Sequence, residues 1–274
     1  MIEGRDAAER VELFDRQGFV LMRDALSAER VTELNGVIDR IVAEQPPAEG
    51  YNVTNAVERD PAIARLMEEA GALDLVVNHL GYNLQLHSSL LSIRRPVGPE
   101  QAGIRRGRGT GGRVSLDWHR DGPSPQFPRV EAFSAKVAYI LSDMSAPGRG
   151  NTKVIPGSHR RSEFRPSDGN PRLEPPGTVE VLGRPGDAFA FTQNLWHAAG
   201  PNLSQVERRL IFIGYCFCWA RPLHDLADPQ ALLQDASPIR RQLVGDVGHK
   251  YMPTDELLPL KAYWRGPGAV NVYA

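Results

Sequence analysis

Cysteine is nearly absent from this 274-residue chain: only Cys216 and Cys218 occur. On a strand both side chains would project from one face, a poor arrangement for joining them. A disulfide framework is therefore excluded, and a reducing compartment is expected. No apolar run approaches the length needed to span a bilayer. The start, Met1-Ile2-Glu3-Gly4-Arg5, leads into a charged segment rather than an apolar one, so no signal peptide and a cytoplasmic location are expected. Excess charge of either sign is also lacking: 32 Lys and Arg against 33 Asp and Glu leave a net charge of −1. The electrostatic footprint of a nucleic-acid or acidic-membrane binder is thus missing. No internal repeat and no linker interrupts the chain, and one domain over 1–274 is expected.

What the chain does have is turns. Its 26 glycines and 22 prolines favour short strands joined by loops. The first eighty residues differ, because apolar residues there recur at helical spacing. Helices are expected over 6–17, over a segment following Ser27 as N-cap, near 61–69 and near 72–80, with a short strand at 19–22. From Gly81 the pattern turns to strands: 84–94, 114–119, 133–141, 152–155, 178–182, 188–191 and 208–217. Pro238 sits near a helix start in the tail. The expected architecture is mainly β: a helical layer (1–80), a double-stranded β-helix or cupin-like jelly roll (81–220), and a helical or irregular tail (221–274).

The chemistry-bearing stretch is Trp118-His119-Arg120-Asp121. On a strand, residues two apart face the same way. His119 and Asp121 would present an imidazole and a carboxylate to one point, two-thirds of the two-histidine, one-carboxylate arrangement that holds non-haem Fe(II). The third ligand should come from a distant strand, and His197, in Asn194-Leu195-Trp196-His197-Ala198-Ala199-Gly200, is the candidate. Arg208 follows it eleven residues later, at the start of the last strand.

These pieces, with Gly150-Asn151-Thr152-Lys153-Val154-Ile155-Pro156-Gly157-Ser158-His159, Gly186-Asp187 and the stretch from Tyr215 to Pro222, resemble the phytanoyl-CoA hydroxylase-like Fe(II)/2-oxoglutarate-dependent dioxygenases, a group that includes ectoine hydroxylases. The resemblance covers most of residues 10–225. It implies that His119, Asp121 and His197 bind Fe(II) and that Arg208 pairs with the distal carboxylate of 2-oxoglutarate, a two-pronged match that lysine cannot copy. Arg209 would face the other way. It further implies that O2 converts 2-oxoglutarate to succinate and CO2 while a C–H bond of a small-molecule substrate is oxidised. Related halogenases have a small residue at the carboxylate position; Asp121 therefore points to hydroxylation or another oxidation. One position departs from the pattern. Relatives place a hydroxyl two residues after the second histidine, where this chain has Ala199; Ser89, His87 or Gln85, from the polar face of the 84–94 strand, are the expected replacements.

Other residues carry blander readings. His159 is expected to fix its Pro-Gly-Ser-His turn, Trp118 to pack beside its histidine, and Cys216 and Cys218 to fill core space. The arginines at 105, 106, 108 and 113 form either a solvated loop or a lid over an anion. Within the implied class, hydroxylation in natural-product metabolism is the expected reaction, with desaturation, cyclisation or ketone formation as variants. A cofactor-free jelly-roll metalloenzyme (an isomerase or hydrolase) and a non-catalytic binding protein are the rivals.

Overall fold

The computed structural model describes residue 3 and residues 6–98, 118–121, 132–161, 174–247 and 258–265. Most of the strand expected over 114–119 and the arginine-bearing loop lie outside these.

The N-terminal elements form where local chemistry dictates. Helix α1 (Ala7–Gln17) starts at Asp6, whose side chain accepts from the Glu9 amide at 2.9 Å, and ends at Gly18 with φ +82°. Glycine reaches that left-handed conformation without a Cβ penalty. A Cβ there would also lie 2.5 Å from His159 Nδ1 and 2.9 Å from Leu195 Cδ1. Strand β1 (Phe19–Met22) follows, then α2 (Ala28–Ala43), capped by Ser27 as expected. Strand β2 (Gly50–Thr54) had no clear signal in the sequence. The helix expected near 61–69 divides into α3 (Pro61–Ala64) and a 3-10 turn (Arg65–Glu68), followed by α4 (Ala70–Leu80).

The remaining strands are β3 (Leu84–Arg94), β4 (Ser134–Ile140), β5 (Thr152–Val154), β6 (Val179–Glu180), β7 (Ala188–Thr192), β8 (His197–Ala199) and β9 (Arg208–Phe217). Short helices α5 (Pro229–Leu233) and α6 (Pro238–Leu243) belong to the tail. A six-stranded antiparallel sheet has the order β1-β7-β4-β9-β3-β2, and a three-stranded sheet the order β6-β5-β8. Together they make the jelly roll.

Alternation sorts the core into two parts. On β9, Ile211, Ile213 and Tyr215 join the helices in a large buried cluster with Leu34, Ile38 and Ile63. Leu210 points the other way, into a second cluster between the sheets with Phe19, Ala138, Val154, Phe189 and Phe191. Each such fully buried side chain contributes roughly 1.5–3 kcal/mol. The even-numbered face of β9 therefore lines the interior of the roll. Tyr139 and Tyr215, buried among the helices, donate to the Leu66 and Met67 carbonyls, each at 3.0 Å.

The Gly186-Asp187 turn holds β1 to the large sheet. Asp187, 3% exposed, accepts from Arg23 Nη1 at 2.5 Å, the Asp24 amide at 3.1 Å and the Arg184 amide at 2.8 Å. One irregularity reaches the site: the β3–β9 register shifts between Leu86 and Ser88, making His87 the extra residue of a bulge.

Candidate active site

His119 and His197 are brought together by backbone. Each donates its amide to the other's carbonyl at 3.0 Å, an antiparallel bridge that sets their rings 4.3 Å apart. The Asp121 amide donates to the Gln193 carbonyl at 2.9 Å, so the ligand segment runs beside the turn leading into β8. Among the described residues, His119, Asp121 and His197 are the one group of three metal-capable side chains whose ligand atoms lie within 4.8 Å of one another. Asp121 faces both rings: Oδ1 is 3.8 Å from His119 Nε2, and Oδ2 is 3.7 Å from His197 Nε2.

His197 is buried and packs on Phe191 at 4.8 Å. Its Nδ1 lies 3.0 Å from the Leu195 carbonyl, which makes it the protonated nitrogen and leaves the Nε2 lone pair facing Asp121. Burial pushes the imidazole down to about 4, against the pull of Asp121, and it is neutral as a metal ligand must be. For Asp121, burial works to raise the carboxyl, but His197, Lys136 and His119 outweigh it and hold it at about 2. Lys136, inward-facing on β4, places Nζ 2.9 Å from Asp121 Oδ2.

The motif residues between the ligands brace them. Arg120 donates to the carbonyls of Ser158 at 3.0 Å and Arg161 at 2.9 Å, and its guanidinium lies 5.1 Å from the Trp196 ring centroid. Ser158, fully buried, accepts from the Trp196 amide at 3.0 Å. His159 bonds the Asp15 carbonyl at 3.0 Å, tying its turn to α1. The Pro-Gly-Ser-His turn thus supports both ligand-bearing segments.

Arg208 lies deeper in the roll, 2% exposed. Nη2 donates to Ser92 Oγ at 2.6 Å and Nη1 to the Gly150 carbonyl at 3.3 Å. Burial, reinforced by the neighbouring Arg94, lowers its guanidinium well below the usual arginine range. Gly150 has φ +73°, and a Cβ there would sit 3.2 Å from Arg208 Cδ, so only glycine leaves this space open. Arg209 turns outward to Asn35 on α2 at 3.1 Å and to Asp39 at 2.8 Å, as alternation predicts. Ala199 pairs with Thr152.

The three residues expected to replace the hydroxyl at position 199 go to different places. The bulge explains why. Ser89 faces the helical layer and accepts from the Val57 amide at 3.2 Å, so the expectation that it lines the site is corrected. Gln85 is committed to the turn after β9, donating to the carbonyls of Cys218 at 3.0 Å and Ala220 at 2.5 Å. His87 alone stays near the cluster, its ring 6.3 Å from Phe133 and in the fields of Lys136 and Asp121. It borders a cleft of about 570 Å³ lined also by Phe133, Trp219 and Leu223. The hydroxyl that does reach Arg208 is Ser92, on the inward face beyond the bulge. Sequence reasoning missed Ser92, Lys136 and the bracing role of Arg120. A lone lysine inside the apolar run Phe133-Ser134-Ala135-Lys136-Val137-Ala138-Tyr139 was the readable sign.

A jelly roll that gathers two histidines and a carboxylate between its sheets defines the class: a protein with the donor set of a non-haem metal centre. More particularly, the chain belongs to the phytanoyl-CoA dioxygenase (PhyH) family, whose sequence model matches residues 14–210. It is 26% identical over 248 residues to an ectoine dioxygenase of Nocardia farcinica (strain IFM 10152), covering 77% of this chain and 78% of that one. Among solved structures, the fold matches the epimerase SnoN in complex with Fe3+, alpha ketoglutarate and nogalamycin RO, with a TM-score of 0.60, 20% identity and coverage of 81% of this chain and 90% of that one. It matches HygX from Streptomyces hygroscopicus with nickel and 2-oxoglutarate bound equally well, with a TM-score of 0.60, 18% identity and coverage of 80% and 90%.

Proposed function

We infer that the chain is an Fe(II)- and 2-oxoglutarate-dependent dioxygenase that oxidises a small molecule, with hydroxylation of a C–H bond as its reaction and natural-product metabolism as its setting. The observation that carries the reading is the His119–Asp121–His197 cluster. Its two imidazoles and one carboxylate are the donor set of a non-haem iron site with positions left open, and His197 already presents an unprotonated nitrogen to it. Arg208 supports the cosubstrate half: a buried guanidinium without a carboxylate partner among the described residues, its Nε unbonded, suits one end of a diacid.

When bound, iron and 2-oxoglutarate supply the oxidation of the substrate by O2, with succinate and CO2 as co-products. The chain's residues do the rest. Arg208 and Ser92 anchor the diacid's far carboxylate. Lys136 holds Asp121 ionised and oriented, while Phe191 keeps water from His197. His87, neutral because burial pushes it down to about 4, and the aromatic side chains Phe133 and Trp219 offer the substrate a mixed polar and apolar approach. The resident carboxylate at 121 favours oxygen transfer over halogenation.

The test is succinate formation with Fe(II), 2-oxoglutarate and O2 across a panel of small molecules. Turnover coupled to one substrate and lost in Asp121→Ala and Arg208→Ala is expected. Turnover unchanged in both variants sinks the assignment.

A further inference from the structure

Strands β3 and β9 end in two pairs of charged residues with opposite fates. On the outer face, Glu207 serves both neighbours: Arg95 Nε at 3.2 Å and Arg209 Nε at 2.9 Å. On the inner face, Arg94 stands directly opposite Arg208 in the register. Cross-strand partners share a face and lie about 5 Å apart at Cβ, so both side chains leave the same face, and the Arg94 charge acts on the Arg208 guanidinium. Neither has a carboxylate among the described residues, both Nε atoms are buried without a partner, and the Arg94 side chain makes no hydrogen bond with them. Arg208 is buried and Arg94 half-buried, and like charges drawn this far from water cost free energy unless an anion joins them. The Arg208 contacts to Ser92 and Gly150 are neutral and leave that charge uncompensated.

We propose that Arg94 is a second cation for the cosubstrate, forming with Arg208 a two-guanidinium clamp on the distal carboxylate of 2-oxoglutarate. This rests on reading the neighbouring cluster as a metal and 2-oxoglutarate site. Ser92, already bonded to Arg208 through its oxygen, has its hydroxyl proton available for the same carboxylate. The clamp makes the site selective for a 2-oxo diacid over a 2-oxo monoacid, because without the second carboxylate the two arginines stay unpaired.

The experiment is calorimetric titration of Ni(II)-loaded protein with 2-oxoglutarate and with 2-oxobutanoate, which lacks the distal carboxylate. Arg94→Gln and, as a second variant of different shape, Arg94→Met are expected to weaken 2-oxoglutarate binding by roughly ten- to a hundredfold, the scale of a lost charge-assisted hydrogen bond. Binding of 2-oxobutanoate stays within about twofold, and Arg95→Gln changes neither, as expected for a charge outside the pocket. The ligand-free melting temperature of the Arg94 variants rises, since a like charge beside buried Arg208 is relieved; a group with a merely structural role would lower it. Wild-type affinity for 2-oxoglutarate in both Arg94 variants, or equal weakening of both acids, overturns the clamp while Arg208→Gln still reports on the cosubstrate site. If the Ni(II)-loaded wild type itself binds no 2-oxoglutarate, the reading of the site fails and the clamp fails with it.

Discussion

Acid should destabilise this protein through His87, and the size of the effect can be worked out. The side chain is 7% exposed and its Nδ1 has no hydrogen-bond partner among the described residues. Burial pushes the imidazole from 6.5 down to about 4; Lys136 and His224 push the same way, and Asp121 opposes them. Because the folded value is depressed for a base, the unfolded chain takes up a proton that the folded chain refuses. Stability is therefore intact above about pH 6.5 and falls as pH drops toward 4. At pH 5 the unfolded state is favoured by about 2 kcal/mol through this residue, against a few tenths at pH 7. His197 adds a loss of similar size when no metal holds it. The assay is urea unfolding of chelator-treated protein at pH 7 and pH 5. The wild type should lose several kcal/mol between the two, and His87→Gln should recover about 2 kcal/mol of that loss. If His87→Gln and wild type lose the same amount, the imidazole is not held neutral by burial and the argument is wrong.

Other outcomes follow from the same geometry. Asp121→Ala should abolish the rise in melting temperature that Mn(II) or Ni(II) gives the wild type, read by differential scanning fluorimetry. Gly18→Ala forces a side chain into left-handed backbone against His159 and Leu195 and should cost about 2 kcal/mol or more by chemical denaturation. Asp187→Ala strips the acceptor from Arg23 and two backbone amides. A loss of roughly 3 kcal/mol is expected by the same measurement; a loss under about 1 kcal/mol would mean that the turn is held by its backbone alone.

The His119–Asp121–His197 cluster was legible in the sequence because its geometry is local on one side and marked by motifs on the other. Two residues apart on an extended segment is enough to align His119 with Asp121; alternation sends Arg208 and Arg209 to opposite faces, as they are found, while the choice of Arg208 rests on its spacing from His197. The same rule failed on β3. Carried without interruption, alternation puts 85, 87 and 89 on one face; the bulge at His87 breaks the count, and nothing in Leu86-His87-Ser88-Ser89 announces a bulge. Strands as short as β2 and β8 exist through their partners' hydrogen bonds, Gly50–Thr54 against β3 and His197–Ala199 against β5, and have too few residues to show a period. Arg94 next to Arg95 looks like an ordinary charged strand end until the register places it against Arg208. Such facts belong to pairing between distant segments, which one chain read in order does not display.

The extra residue on β3 has a consequence for how such a site can change over generations. Each half of the strand already keeps its own register with β9, Leu84 to Leu86 on one side and Ser88 to Arg94 on the other. Gaining or losing a residue at the joint would rearrange the approach to the metal, where His87 meets Phe133, while the arginine-lined end stays in step with its partners. If the cluster and the arginine end hold metal and cosubstrate as proposed, a single-codon insertion or deletion at this joint retunes the substrate side while leaving the cosubstrate side in register.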